Sequence, residues 1–159
     1  MEITNTFLFN QSADEIYAYY TDPDLITEKM EALGARNIEI EIEQNDAITE
    51  IIVSREVVLD LPGPLKKFAK PWNKVTQKET WTGEKGGPYY GEMEIITEGI
   101  PLTVSGQMKI KATFKGSAAA VLTDITSNFP LLGKTITKFA AQASEEAIDE
   151  ELEYIANNA

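Results

Sequence analysis

Val121-Leu122-Thr123-Asp124-Ile125-Thr126-Ser127-Asn128-Phe129-Pro130-Leu131-Leu132-Gly133-Lys134-Thr135-Ile136-Thr137-Lys138-Phe139-Ala140 decides the fold. Before Pro130 the pattern has a period of two, with Val121, Thr123, Ile125, Ser127 and Phe129 on one parity. After it the period becomes helical. Leu132, Ile136, Phe139, Ala140, Ala143 and Ala147 form a stripe that continues through Ile148, Leu152 and Ile155. The change predicts a strand that stops at Pro130 and a helix over residues 131–157, about 40 Å long at about 1.5 Å per residue. The helix is Ala-rich in its middle, so its backbone can come close to a sheet. Lys134 and Lys138 stand near its start and Glu145, Glu146, Asp149, Glu150, Glu151 and Glu153 near its end. The helix dipole favours the reverse, so tertiary packing must hold this helix in place.

Working upstream, period two persists. A strand runs through Leu102, Val104, Gly106, Met108, Ile110 and Ala112, and another from about Tyr89 to Glu98 with Tyr89, Met93 and Ile95 on one side. Val75, Gln77, Glu79 and Trp81 share a parity in a fourth strand. Ala47 to Val58 pairs with Ile38, Ile40 and Ile42, which alternate with Glu39, Glu41 and Glu43 as in an antiparallel strand with one wet face. Turns fall at Asn45-Asp46, Gly83 to Pro88, Gly99-Ile100-Pro101 and Lys115-Gly116-Ser117, with a break at Leu61-Pro62-Gly63-Pro64. Leu65, Phe68 and Ala69 predict one helical turn before Pro71. Ile3, Asn5, Phe7 and Phe9 form the first strand. Ser12 with Glu15 reads as a capping box, and Asp22-Pro23 as a cap followed by proline at the first helical position. Gly34 ends the second short helix.

The order predicts an α+β fold over residues 1–159, expected to be a single domain. An antiparallel sheet of about seven strands wraps around the long C-terminal helix, with two short helices after strand 1. A twisted sheet has a concave side, and a helix closing it need not pack solid, which leaves a natural place for a ligand.

Composition narrows the chemistry. The chain has 159 residues and no Cys or His. Disulfides, thiolate metal sites, a Ser-His-Asp triad and a histidine general base are therefore excluded. No metal and no cofactor is expected. With 14 basic and 26 acidic residues, the net charge of -12 repels phosphate backbones and anionic bilayers, so no nucleic-acid partner is expected. No apolar stretch is long enough for a transmembrane helix, and integral membrane association is not expected. Met1-Glu2-Ile3-Thr4-Asn5 has no basic region leading into an apolar run, so we expect no signal peptide and a cytoplasmic location.

The element order resembles the helix-grip arrangement of the START-like superfamily, also called polyketide cyclase and lipid transport proteins. It is closest to an uncharacterised bacterial family within it. The local marks are Thr21-Asp22-Pro23 with Ala32-Leu33-Gly34, then Leu61-Pro62-Gly63 and Phe68. Val75, Gln77 and Trp81 follow, then Gly99-Ile100-Pro101 with Val104 and Gly106, and Pro130-Leu131-Leu132-Gly133-Lys134. The resemblance implies the fold and a cavity that in relatives takes lipids, sterols, polyketides or plant hormones. It implies no catalytic residues.

Trp72, Trp81, Tyr89, Met93, Met108, Phe129, Phe139 and Ala143 are the expected ligand-lining residues. Rings and Met give a broad apolar wall, although the same groups serve equally as ordinary core. Trp72, in a Pro-flanked loop, could instead cover the cavity mouth. Glu79 shares parity with Val75 and Trp81. On a concave face it would enter the cavity with Gln77 beside it, and Arg55 could pair with it. The alternative is a rim position where these groups reach water. The acidic cluster of the last helix is read as solvated surface.

The leading reading is a non-enzymatic binder of a small hydrophobic or amphipathic molecule. The alternatives are a cyclase or isomerase using cavity carboxylates, and a solid-cored protein-interaction module resembling the stress-response cochaperones.

Overall fold

Alternation of large apolar and polar side chains drives seven segments of the chain into one antiparallel sheet. In chain order they are β1 (Glu2–Phe9), β2 (Arg36–Asn45), β3 (Ile48–Val57), β4 (Asn73–Thr82), β5 (Tyr89–Thr97), β6 (Leu102–Thr113) and β7 (Gly116–Ser127). The helices are α1 (Ala13–Thr21), α2 (Pro23–Ala32) and α3 (Gly133–Asn158), with a short 3-10 turn at Gly63–Phe68. The computed structural model describes every residue except Pro62, Pro130 and Leu132, and the side chain of Pro64. The expected break at Pro62, the stop at Pro130 and the first stripe position at Leu132 lie outside the described residues.

The strand order is β1-β7-β6-β5-β4-β3-β2. From β2 to β7 it is a meander. The sheet closes its order by bringing β1 beside β7, with Ile3 opposite Thr123 and Phe9 opposite Ser117. The inward rows can be followed across the register. One runs Ile40, Val53, Gln77, Ile95, Val104, Ile125. The next runs Ile42, Ile51, Glu79, Met93, Gly106, Thr123, and the third includes Thr49, Trp81, Gly91, Met108 and Val121.

The helices begin where their caps predict. Ser12 Oγ accepts from the Glu15 amide at 3.2 Å and donates to Glu15 Oε1, while Asp22 Oδ1 accepts from the amides of Asp24 and Leu25. Pro23 takes the first helical position of α2. Gly34, at φ 96°, supplies the left-handed conformation that ends it.

The 26 residues of α3 run along the sheet, against β1, β7 and α2. Its buried side chains are Ile136, Ala141, Leu152 and Ile155, with Ala140, Ser144, Ile148 and Glu151 half-buried. The expected stripe is therefore corrected in its middle, because Ala143 and Ala147 face solvent. Alanine is the best helix former, so it occupies exposed helical positions as readily as buried ones and does not mark a face. Asn5 on β1 anchors the helix. Its Nδ2 donates to Asp149 Oδ1 at 2.8 Å and to the Glu145 carbonyl at 3.3 Å. Tertiary contacts of this kind hold a helix whose charges oppose its dipole.

Candidate functional site

The two ends of the concave face differ. At the end nearest α1, the indole of Trp81 is fully buried. Gly91, its cross-strand neighbour, makes room for it: a Cβ there would meet the indole ring at 2.7 Å. Tyr17 meets this indole edge-on with ring centroids 5.5 Å apart, Tyr20 lies at 5.4 Å, and Tyr17 stacks on Tyr89 at 3.8 Å. Asp14 ties α1 to the β4–β5 turn, accepting from the Tyr89 hydroxyl and, at 2.8 Å, from the Gly86 amide. Those two donors hold the Asp14 carboxyl below its ordinary range. Met108 is buried in the same cluster.

At the other end the inward row opens. Met93, Ile95, Leu102 and Val104 are only half-buried, as are Phe129 and Phe139. Phe68, from the 3-10 turn, packs edge-on against Phe129 with centroids 5.4 Å apart. This pair joins the β3–β4 connection to the segment leading into α3. Trp72 is half-buried beside β2, with the Arg36 guanidinium 3.8 Å above its ring.

Between the two ends lies a buried charged set. Glu79 is 5% exposed. Trp81 Nε1–H donates to its Oε1 at 3.0 Å and Gln77 Nε2–H to its Oε2 at 3.1 Å. Glu151 of α3 accepts from the Tyr20 hydroxyl at 2.9 Å on Oε1 and pairs with Lys29 Nζ at 3.5 Å on Oε2. Lys29 is 2% exposed and also lies over the Tyr20 ring. Burial pushes the Glu79 carboxyl above its ordinary range. Lys29 and the donors from Trp81 and Gln77 oppose this, and Glu151 adds to it. Arg55 lies on the inward parity of β3 beside Val75. Burial lowers its pKa, against the pull of Glu151 and Glu79. Its Nη1 is buried and has no hydrogen-bond partner among the described residues.

Of the residues expected to line a ligand, Trp81, Tyr89 and Met108 lie in the packed end. Met93, Phe129 and Phe139 belong to the half-open end, Trp72 sits at the β2 side, and Ala143 lies on the exposed side of α3. Gln77, Glu79 and Arg55 do face inward. Sequence reasoning missed Lys29 and Glu151, the latter assigned to solvated surface. The signal was there: Lys29 follows Ile26 by three, and Glu151 stands three after Ile148 and four before Ile155. Each shares a helical face with apolar residues.

A sheet wrapped against a long helix in this way has the shape that can hold a small molecule. The family described as "Protein of unknown function (DUF2505)" matches residues 4–157. The chain belongs to this family. No curated protein sequence matches it. Among solved structures it is similar to TTHA0849 from Thermus thermophilus, at 11% identity and a TM-score of 0.67, over 99% of this chain and 95% of that one. It is also similar to Ara h 8.0201, at 17% identity and 0.63, over 99% of both chains. A third is SA2116 from Staphylococcus aureus, a protein of unknown function, at 14% and 0.60, over 99% and 93%. At these identities the likeness shows the fold, which resembles the helix-grip arrangement. Among the described residues no helix is long and apolar enough to cross a membrane.

Proposed function

We propose that the chain binds a small hydrophobic or amphipathic molecule between the concave face and the N-terminal half of α3. In this reading it is a bacterial START-like binder, not an enzyme. The observation that supports it is the half-exposure of Met93, Ile95, Leu102 and Val104. These side chains share parity with buried neighbours, and a solid interior would cover them. Covering them with an apolar guest is favourable by about 25 cal/mol per Å². Met93, Ile95, Leu102, Val104, Phe129 and Phe139 are the lining residues in this reading.

A cyclase- or isomerase-type role has one observation in its favour, the buried carboxyl of Glu79 with its raised pKa. Both of its oxygens are already engaged by N–H donors from Trp81 and Gln77. A group so occupied is poorly placed to exchange a proton with a substrate, and binding is the better reading.

The test titrates the full chain with an environment-sensitive apolar dye, alongside Val104→Trp, which fills the half-open end. Saturable binding that the substitution abolishes while the circular dichroism of the fold persists is the expected result. No saturable uptake by folded wild-type protein would overturn the proposal.

A further inference from the structure

Resting on the binding reading above, the chemistry of the guest's polar end can be named. We infer that the guest is a carboxylate-bearing amphiphile, whose head group is received by the guanidinium of Arg55 and whose apolar tail lies along Ile95, Val104 and Leu102.

Donors and acceptors in the buried charged set do not balance. All four carboxylate oxygens are engaged. Glu79 takes Trp81 and Gln77, and Glu151 takes Tyr20 and Lys29. The guanidinium of Arg55 is close enough for both acids to act on its charge, yet Nη1 finds no partner among the described residues. A buried donor left unpaired costs about 1–3 kcal/mol, and more when charged. Arginine cannot escape that cost by releasing its proton. The set therefore holds a charged donor in need of an acceptor: both acids act on it through space, yet neither accepts from Nη1 among the described residues.

Position and charge agree with this. On β3 the inward residues run Ile51, Val53, Arg55, Val57, and Ile51 and Val53 are fully buried while Val57 is half-buried. Arg55 thus stands where the packed end gives way to the open one. Its cross-strand row continues through Val75 to Thr97, next to the row that holds Ile95 and Val104. Burial pushes the Glu79 carboxyl above its ordinary range, whereas the guanidinium of Arg55 keeps its charge. The planar guanidinium presents paired N–H groups that match a carboxylate's two oxygens, which an alcohol or an amine head cannot do. The chain's net charge of -12 disfavours anions at long range. That repulsion is screened beyond about 8 Å at physiological salt, so recognition must come from a short-range contact of this sort.

The experiment compares a saturated fatty acid with the primary alcohol of the same chain length, by displacement of the apolar dye from the full chain. Wild-type protein should prefer the acid by about tenfold or more, the effect of a charge-assisted hydrogen bond. In Arg55→Met the preference should collapse to near unity. Arg55→Lys keeps a charge without the fork and should retain only part of it. That variant carries the test if Arg55→Met does not fold. Equal binding of acid and alcohol by wild type overturns the inference while leaving the binding reading intact, as does a preference that survives substitution of Arg55. Displacement of the dye by neither compound also overturns it. Failure of the wild-type chain to take up the dye at all removes the binding reading with it.

Discussion

The α1 end and the α3 N-terminal end of the concave face are built from the same strands on the same parity, yet they differ in filling. Trp81, Gly91 and Met108 are buried at the first, while Ile95, Val104 and Leu102 are half-buried at the second. The cause is what lies above them. The α1 helix brings Tyr17 and Tyr20 down onto Trp81, and Asp14 locks it to the β4–β5 turn. Over the other end, α3 lies against β1 and β7, and the Phe68–Phe129 pair joins the β3–β4 connection to the segment leading into α3. The difference teaches that the stability of this fold and its capacity for a guest are held in separate places.

If that division is right, the largest loss comes from the packed end. Trp81→Ala should lower the unfolding free energy by about 3–5 kcal/mol, toward the upper figure because Glu79 also loses a donor. Denaturant melts read this directly, and a loss under about 1 kcal/mol would show that the two ends do not differ. Next comes Gly91→Ala, in which the new methyl meets the indole at 2.7 Å. Overpacking of this kind should cost about 1–3 kcal/mol by the same melts. Phe139→Ala, in the half-open end, should cost only about 1 kcal/mol, roughly half the transfer value of a fully buried ring. A loss of the size seen for Trp81 would make Phe139 core.

The smallest expected effect distinguishes two carboxyls by the sign of a pH slope. The folded Asp14 carboxyl is lowered from 3.8, so the unfolded chain binds the proton first as pH falls. Its contribution is present above 3.8 and is lost as pH drops through the folded value. Folded Glu79 is raised from 4.5, so above 4.5 the native state keeps a proton the unfolded chain has released. Stability from Glu79 therefore falls as pH rises from 4.5 to its folded value. The groups facing Glu79 are Trp81, Gln77, Lys29 and Glu151, with Arg55 acting on it through space. Melts across pH should show Asp14→Asn removing a rising slope at the acid side and Glu79→Gln removing a falling slope above it. Slopes of the same sign would contradict the assignment.

Much of the architecture was legible in the residues alone. The seven strands, the Ser12 and Asp22 caps, the stop at Gly34 and the long last helix each follow from periodicity or from a local backbone requirement. These are short-range properties, so neighbouring letters suffice to express them. Gln77, Glu79 and Arg55 share a parity with apolar residues, but the letters leave both an inward and a rim position open, and the cross-strand register places them inward. The face of α3 was not legible in its middle, because alanine suits either side of a helix. Nor was it legible that Glu151 and Lys29 leave the surface to meet Tyr20, or that Trp81 lies over a glycine on the next strand. Tertiary structure alone decided those contacts: Tyr20 of α1 meets Glu151 of α3 across 131 positions of sequence, and Trp81 of β4 meets Gly91 across the β4–β5 turn. It also decided which carboxylates are satisfied and which guanidinium is not. Hydrogen bonding in a buried set depends on distances between elements, and no local pattern carries that information.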